Sequence, residues 1–383
     1  MRLLAEVLDS GTLFAPKGRM VKRLEADFAR FVGSEYAVAS ASGTAAVHTA
    51  LAAIDPEPGD EVITTAITDM GALSPILYQA AIPVFADVDP DSGNVTADTV
   101  AARLTDRTRA IIATHLFGNP ADVEAIARVA RSAGVPLIED SAQAFGAMVG
   151  DRHVGTIGEI GTFSLQQGKH ITTGEGGLTV TSDAATARRA RLYVNKAWDY
   201  DTPGDHDFLA LNYRMSELIG AVGVAQLAKL ADGVEARRKA AAALDAALAP
   251  IDGIRPTPAV IGTTPSYWRY GLLVDPNVVP GGPAALAGQL RELGIPSAPR
   301  YIQKPAFRCG IFRDQKTFGQ SRFPFTLASA EAVDYSEERF PGTFSFLERI
   351  LVLPWNEKYD EGVVATLATA IRHGVERLTE GES

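Results

Sequence analysis

Cysteine, long apolar runs and excess positive charge are all scarce in this sequence, and each scarcity excludes a class of protein. The single cysteine, Cys309, rules out a disulfide framework and a cysteine-based zinc site. No run of about 18 apolar residues and no secretory hydrophobic region is present, so we expect a soluble, cytoplasmic protein. With 36 Lys and Arg against 46 Asp and Glu, the net charge of −10 argues against bulk nucleic-acid binding.

Nucleotide-binding loops and metal-ligand spacings are also missing. Gly168-Lys169 suggests a phosphate loop, but the preceding glycine, Gly161, is too far upstream, and His170 replaces the required hydroxyl residue. No Gly-x-Gly-x-x-Gly follows the first strand, and the six histidines show no ligand spacing. Nucleotide hydrolysis, nicotinamide binding and a metalloenzyme are therefore disfavoured.

The first half of the chain alternates strand-like and helix-like segments. Alternation of this kind predicts parallel βαβ units, with a sheet covered by helices on both faces. Near-continuous apolar runs at residues 110–113 and 135–138 are typical of strands buried on both faces. The predicted strands are residues 61–66, 83–89, 110–115, 135–140, 161–165 and 178–181, and the predicted helices are residues 45–53, 122–133 and 183–194.

The second half of the chain has a different composition and pattern. Residues 216–230 and 234–248 are alanine-rich and predict helices, and a proline-rich stretch at 250–258 follows as a boundary. Beyond it we predict strands at 268–274 and 350–353 and helices at 283–293 and 360–378. The expected organisation is α/β: a large domain with a mostly parallel sheet at residues 1–248 and a small α+β domain at 249–383.

Ser42-Gly43-Thr44 lies between an apolar run and a predicted helix. Backbone N–H groups, two hydroxyls and the positive end of the helix dipole suit a dianionic phosphate there. A plain helix cap is the alternative.

Two further segments carry reactive side chains. Glu139-Asp140 lies at the end of a predicted buried strand. Because ligands of parallel sheets bind beyond the carboxyl ends of the strands, we expect Asp140 to face a ligand; a helix cap is the alternative. Lys169 lies in a glycine-rich turn and can form a Schiff base if its pKa is lowered; a solvated surface lysine is the alternative. Together with the phosphate cup, the carboxylate and the lysine describe a site for pyridoxal 5′-phosphate (PLP).

The sequence resembles the DegT/DnrJ/EryC1/StrS sugar aminotransferases, which have the aspartate aminotransferase-like fold of PLP enzymes, called fold type I. Seven ordered motifs carry the resemblance over nearly the whole chain. They are Leu24-Glu25 with Phe28-Ala29 before Ser42-Gly43-Thr44, Gly59-Asp60-Glu61-Val62-Ile63, residues 83–89, His115-Leu116-Phe117-Gly118, Glu139-Asp140-Ser141-Ala142-Gln143, Phe163-Ser164 with Lys169 and Gly174-Glu175-Gly176-Gly177, and residues 212–217.

The resemblance implies a role for each matching residue. Lys169 would form the Schiff base with the cofactor and shuttle the proton, and Asp140 would pair with the pyridine nitrogen. Gln143 would contact the phenolic oxygen, while Ser42, Gly43, Thr44 and Ser164 would hold the phosphate. Asn212 would reach the phosphate in the neighbouring subunit, which implies a homodimer with active sites at the subunit interface. Tyr213 and Arg214 beside it have either a site role or a packing role.

One segment departs from the family pattern. The family places an aromatic ring over the cofactor in the loop at residues 65–71, where this chain has Asp69 and Met70. Either the Met70 thioether contacts the ring or the cofactor face is covered differently.

The resemblance also predicts the reaction. Retention of Lys169, which a dehydrating subgroup replaces with histidine, favours transamination: glutamate or glutamine would convert the cofactor to its pyridoxamine form, which then aminates a ketone. Gln166-Gln167 is closer to the aminocyclitol branch of secondary metabolism than to the nucleotide-sugar branch. His170, Arg300, Tyr301 and Lys304 are candidate substrate residues. A PLP-dependent dehydratase or deoxygenase and a non-catalytic regulator of the same fold are the alternatives.

Overall fold

A computed structural model describes residues 1–202 and 204–381 of the chain. The last two residues of the predicted small domain, 382 and 383, lie outside the described residues. The strands are β1 (Tyr36–Ser40), β2 (Glu61–Thr65), β3 (Ile82–Ala86), β4 (Thr108–Thr114), β5 (Leu137–Asp140), β6 (Met148–Val149), β7 (Arg152–His153), β8 (Ile160–Ser164), β9 (Gly177–Thr181), β10 (Ile254–Pro256), β11 (Thr263–Thr264), β12 (Arg269–Val274), β13 (Ala298–Pro299) and β14 (Ile350–Pro354).

Helices separate most of the long strands. They are α1 (Arg2–Ser10), α2 (Met20–Val32), α3 (Gly43–Ile54), α4 (Met70–Tyr78), α5 (Ala97–Ala101), α6 (Val123–Ala133), α7 (Ala184–Val194), α8 (Glu217–Leu227), α9 (Leu230–Leu248), α10 (Gly282–Glu292), α11 (Gly310–Arg313), α12 (Pro341–Arg349) and α13 (Glu361–Glu380). Within the described residues, no helix is both long enough and apolar enough to span a membrane.

The main sheet has seven strands in the order β1-β9-β8-β5-β4-β2-β3. Five neighbouring strands, β8 through β3 in that order, pair in parallel, while β9 runs antiparallel to both of its neighbours. The predicted α/β class with a mostly parallel sheet is confirmed. The carboxyl ends of the parallel strands therefore meet at one edge of the sheet.

Successive residues of the central strands pack on opposite faces of the main sheet. Ile111 packs with α6 residues on one face, whereas Ile112 packs with Val47 and Leu51 of α3 on the other. Alternate side chains of a strand point in opposite directions, so a strand covered on both faces needs apolar residues at every position. This explains why the apolar runs in the sequence are continuous rather than alternating.

A second sheet, β10-β12-β14-β13, is antiparallel and packs against α10, α13 and the second half of α9. Tyr270 and Leu353 in this sheet contact Leu244 and Leu248 of α9 in one apolar cluster. The segment that follows β13 instead returns toward the main sheet, where Phe307 packs against Phe85. The division into domains at residue 248 stays a prediction.

Candidate active site

A cavity of about 430 Å³ lies at the carboxyl edge of the main sheet. Its wall takes residues from the turns that follow β1, β2, β5 and β8 and from the segment leading into β12. The sequence-predicted residues that line it are Ser42, Gly43, Thr44, Asp69, Asp140, Gln143, Ser164, Lys169 and Tyr301. The cavity brings together side chains that are up to 259 positions apart in the chain, from Ser42 to Tyr301. Parallel topology accounts for the residues after β2, β5 and β8, whereas Tyr301 comes from the segment that follows β13 of the second sheet.

The first turn of α3 forms one wall of the cavity. Ser42 caps this helix, because its hydroxyl accepts a hydrogen bond from Ala45 N at 3.1 Å. The N–H groups of Gly43 and Thr44, which lie between Ser42 and Ala45, have no acceptor among the described residues. A side chain at Gly43 would come within 2.6 Å of the Ser164 Cβ, so glycine allows the two strand ends to approach closely. The turn presents free donors and the positive end of a helix.

Asp140 ends β5 with its carboxylate toward the cavity. The residue is buried, and Oδ1 accepts one hydrogen bond, from Ala142 N at 3.1 Å. Burial raises the pKa of Asp140, and the nearby ammonium of Lys169 partly opposes that rise. A buried carboxylate that accepts only this one hydrogen bond within the described residues can pair with a cationic group of a ligand.

Gln143 connects the turn after β5 to two other segments. Its Oε1 accepts from Phe117 N at 2.8 Å, and its Nε2 donates to the Tyr301 hydroxyl at 3.3 Å. Tyr301 has a left-handed backbone with φ of 53°, and burial raises its pKa to about 12. The Gln143 amide is thus fixed in orientation at the cavity wall, and the Tyr301 hydroxyl stays protonated at neutral pH.

Lys169 follows β8 in a tight turn. The Gln166 side chain accepts from Gly168 N at 2.8 Å, and the Gln166 carbonyl accepts from Lys169 N at 3.0 Å. Burial lowers the pKa of Lys169, while Asp140 and Asp69 act in the opposite direction. A lowered pKa increases the neutral amine fraction, which is the nucleophilic form.

Trp268 also lines the cavity and was missed at the sequence level. Its Nε1 donates to the Gly168 carbonyl at 2.6 Å, and its ring centroid lies 4.5 Å from Lys169 Nζ. The sequence places Trp268 only at the beginning of a strand of the second sheet, 99 positions after Lys169. No local pattern shows that this strand begins beside the lysine turn.

Besides Asn212, which is described below, four predicted residues do not line this cavity. His170 is held behind the wall by a hydrogen bond from Nε2 to the Ser266 carbonyl at 3.0 Å, and burial lowers its pKa to about 3. Met70 packs in the apolar cluster of Phe85 and Phe307 instead of at the cavity. Arg300 and Lys304 are exposed. The expected contacts of His170 with substrate and of Met70 with the cofactor therefore have no support in this geometry.

Asp69 and Asn212 have contrasting positions. Asp69 caps α4 by accepting from Gly71 N at 2.7 Å, and it lines the cavity where an aromatic residue was expected. Asn212 is exposed, forms a bridge with Asn195, and does not line the cavity of its own chain.

The family model described as the DegT/DnrJ/EryC1/StrS aminotransferase family matches residues 1–372. The chain belongs to this family. It is a PLP-dependent aminotransferase of fold type I. L-glutamine:2-deoxy-scyllo-inosose aminotransferase of Streptomyces fradiae is 33% identical to it, over 98% of this chain and 93% of that protein.

Two other proteins are similar to this chain over different lengths. GDP-perosamine synthase of Escherichia coli O157:H7 is 36% identical over 62% of this chain, and the match spans 65% of that protein. The crystal structure of the aminotransferase TlmJ from Streptoalloteichus hindustanus superposes with a TM-score of 0.83 at 30% identity, covering 99% of this chain and 96% of that one.

The cavity fits the cofactor that the family implies. The free N–H groups of Gly43 and Thr44, with the hydroxyl of Ser164 close by, match the needs of a phosphate dianion. Asp140 offers a buried carboxylate for a protonated ring nitrogen, and Lys169 offers an amine of lowered pKa for an aldehyde. The volume of about 430 Å³ is in the usual range for small-molecule sites.

Proposed function

We propose that this protein moves an amino group from glutamine or glutamate to a neutral polyhydroxy ketone, a keto-cyclitol or ketose. The observation that carries the proposal is the convergence of Lys169 and Asp140 on one cavity that begins at the free N–H groups of α3. Similarity over nearly the full length to an aminotransferase of 2-deoxy-scyllo-inosose supports the cyclitol class of acceptor.

Each polar residue at the cavity has one task in this proposal. Lys169 attaches the cofactor covalently and moves the proton at the substrate carbon. Asp140 holds a proton on the cofactor ring nitrogen, and Gln143 orients the ring through a hydrogen bond at its oxygen. When bound, the protonated cofactor ring withdraws electrons from the substrate carbon. Ser42, Gly43, Thr44 and Ser164 hold the phosphate.

The charge of the cavity wall supports a neutral acceptor. Among the described residues that line it, Asp69, Asp140 and Glu175 carry carboxylates, while Lys169 is the one cationic side chain. The diphosphate of a nucleotide-linked sugar would add two negative charges that a neutral ketone lacks, and these charges would need cationic side chains as partners. Hydroxyl and amide groups, such as those of Thr68 and Gln166, suit the hydroxyls of a cyclitol.

We further propose a homodimer in which Asn212 contributes to the partner's cofactor site. Asn212 is exposed in this chain, and two nearby leucines are also solvent-facing: Leu209 is 93% exposed and Leu211 is 42% exposed. Exposed apolar side chains next to a polar residue are typical of a surface that a second subunit covers.

The same-fold alternatives differ from this proposal at Lys169. A dehydratase of the family's subgroup has histidine there, and in this chain the neighbouring His170 is hydrogen-bonded to Ser266 behind the cavity wall. A regulator without activity has no requirement for Lys169, Asp140 and Gln143 to line one cavity together.

A half-reaction screen tests the proposal. The protein is loaded with PLP and mixed with glutamine, glutamate or alanine, and the visible absorbance band is followed. We expect glutamine or glutamate to bleach the band and a neutral inosose or ketose to restore it. Recovery only with nucleotide-linked ketosugars would refute the acceptor class. Loss of water from a sugar without any donor response would establish the dehydratase, and no response to any compound would favour the regulator.

A further inference from the structure

Trp268 makes two contacts with the turn that carries Lys169. The indole Nε1 donates to the Gly168 carbonyl at 2.6 Å, immediately before the lysine. The Lys169 ammonium lies over the indole ring, with Nζ 4.5 Å from the centroid. One side chain therefore fixes the backbone at the base of the lysine and also provides a surface for its amine.

The indole itself is held by other parts of the fold. The backbone N–H of Trp268 donates to the Phe117 carbonyl at 2.7 Å, in the turn between β4 and α6. The Tyr301 ring lies edge-on to the indole, with centroids 6.4 Å apart, and the Arg269 guanidinium lies 4.8 Å from the same indole centroid. Because Phe117 and Tyr301 belong to two other segments of the chain, the fold fixes the indole, which does not simply follow the lysine.

The face of an indole stabilises a cation, and tryptophan does so best among the aromatic residues. Burial lowers the pKa of Lys169 because it disfavours the ammonium. The Trp268 ring opposes this effect of burial, because it stabilises the positive charge on Lys169 Nζ. Trp268 therefore acts together with Asp140 and Asp69, which also favour the ammonium, and it does so through an uncharged surface in contact with the amine.

We propose that Trp268 is a positioning residue that holds the Lys169 amine whenever the amine is not bonded to the cofactor. In a two-stage amino transfer, the lysine must leave the cofactor and return to it in every turnover. The indole keeps the amine at one place in the cavity, so that it returns without a search through rotamers. The proposal rests on the proposed function only in taking Lys169 as the reacting amine.

A pH titration of the cofactor-free protein tests the proposal without any turnover. Reductive methylation labels the neutral form of an amine, and peptide mass spectrometry reports the labelled fraction of Lys169 at each pH. The exposed Lys229 in the same digest is the internal reference. Trp268→Met keeps an apolar side chain but removes the aromatic face, Trp268→Phe keeps a ring but removes the indole N–H, and Trp198→Met is the matched control.

We expect Trp268→Met to shift the Lys169 midpoint downward by about 0.5–1 pH unit, because the ammonium loses its aromatic partner. Trp268→Phe should shift it less, and Trp198→Met should leave it unchanged. In the loaded enzyme, Trp268→Phe should lower kcat about 10-fold or more with little change in the donor KM, because misplacement of a reacting group slows the chemistry more than it weakens binding.

Two results separate this proposal from the proposed function. An unchanged Lys169 midpoint in Trp268→Met, or an unchanged kcat in Trp268→Phe, would overturn the role of Trp268. Trp268→Phe retains most of the packing, so it serves the test if Trp268→Met does not fold. If borohydride attaches no cofactor to Lys169 in the wild-type protein, the proposed function itself fails, whatever the titration shows.

Discussion

Glu139 and Asp140 are neighbours at the end of β5, but their carboxylates lie in different environments. Glu139 accepts hydrogen bonds from Gly155 N, Ile157 N and Gly158 N at 2.6–2.8 Å and lies 3.0 Å from His115 Nε2. Asp140 faces the cavity and accepts from Ala142 N. Because successive side chains of a strand point in opposite directions, the Glu139 carboxylate is held in internal hydrogen bonds while the Asp140 carboxylate faces the cavity.

The first prediction uses this pair as matched substitutions. Glu139→Gln removes the charge that accepts these hydrogen bonds and should lower the free energy of unfolding by about 3 kcal/mol. Asp140→Asn should leave unfolding nearly unchanged and reduce kcat by about 100-fold or more, because no carboxylate then holds the proton on the cofactor ring. Urea unfolding and steady-state kinetics measure the two effects. The reverse assignment, with Asp140→Asn unstable and Glu139→Gln inactive, would contradict the account.

The second prediction concerns stability in acid. Hydrogen bonds from His115 and from backbone N–H groups hold the pKa of Glu139 below its ordinary value despite the cost of burial. A group whose pKa is lower in the folded state stabilises the fold above its unfolded pKa and loses that contribution as the pH falls through the folded value. Unfolding of the wild type should therefore become easier as the pH falls below the ordinary range of glutamate. In Glu139→Gln the free energy of unfolding should depend less on pH in this range. If it falls equally in both proteins as the pH is lowered, Glu139 is not the cause of the loss of stability in acid.

The third prediction tests the phosphate site at α3. Gly43→Ala places a Cβ within 2.6 Å of the Ser164 Cβ, in the wall that is proposed to hold the phosphate. We expect PLP affinity to fall by about 10-fold or more, which is about 1.4 kcal/mol of binding free energy. Equilibrium titration of the cofactor-free protein measures it. The same substitution at Gly288 of α10, where nothing lies within 4 Å, should leave PLP binding unchanged. Equal affinities for the two variants would argue against a phosphate at Gly43.

The fourth prediction tests the shared site. Lys169→Ala homodimers should be inactive, and Asn212→Ala homodimers should bind PLP weakly. In a mixed dimer, one site combines an intact Lys169 with an intact Asn212 from the partner. Equal mixing should therefore restore about a quarter of wild-type activity, because half of the dimers are mixed and each has one complete site. If mixing restores nothing beyond the sum of the separate variants, Asn212 does not act across the interface.

The sequence predicted those parts of the site that lie at the ends of strands. Thr44, Asp140 and Ser164 follow recognisable apolar runs, and parallel topology sends the carboxyl ends of such runs to one edge. The substrate role of His170 stays a prediction: the residue follows Lys169 in the chain, but its side chain is hydrogen-bonded to the Ser266 carbonyl and does not line the cavity.

Trp268 shows the limit of local patterns. Its position depends on how the second sheet packs against the main one, through Trp268 N to the Phe117 carbonyl. Long-range packing of this kind leaves no periodic signal in the sequence. The ends of a helix, by contrast, are marked locally in the sequence. The helix predicted at 183–194 is observed at Ala184–Val194, because an aspartate cap and an alanine-rich turn mark where it begins.

The most direct test of the central claim is the site at which the cofactor is attached. PLP-loaded protein is reduced with borohydride, digested and mapped by mass spectrometry, with Lys169→Ala and the exposed Lys229→Ala as paired variants. The account predicts that the cofactor mass is found on the peptide containing Lys169, persists in Lys229→Ala and disappears in Lys169→Ala. Attachment at another lysine, or full attachment and turnover in Lys169→Ala, would contradict it.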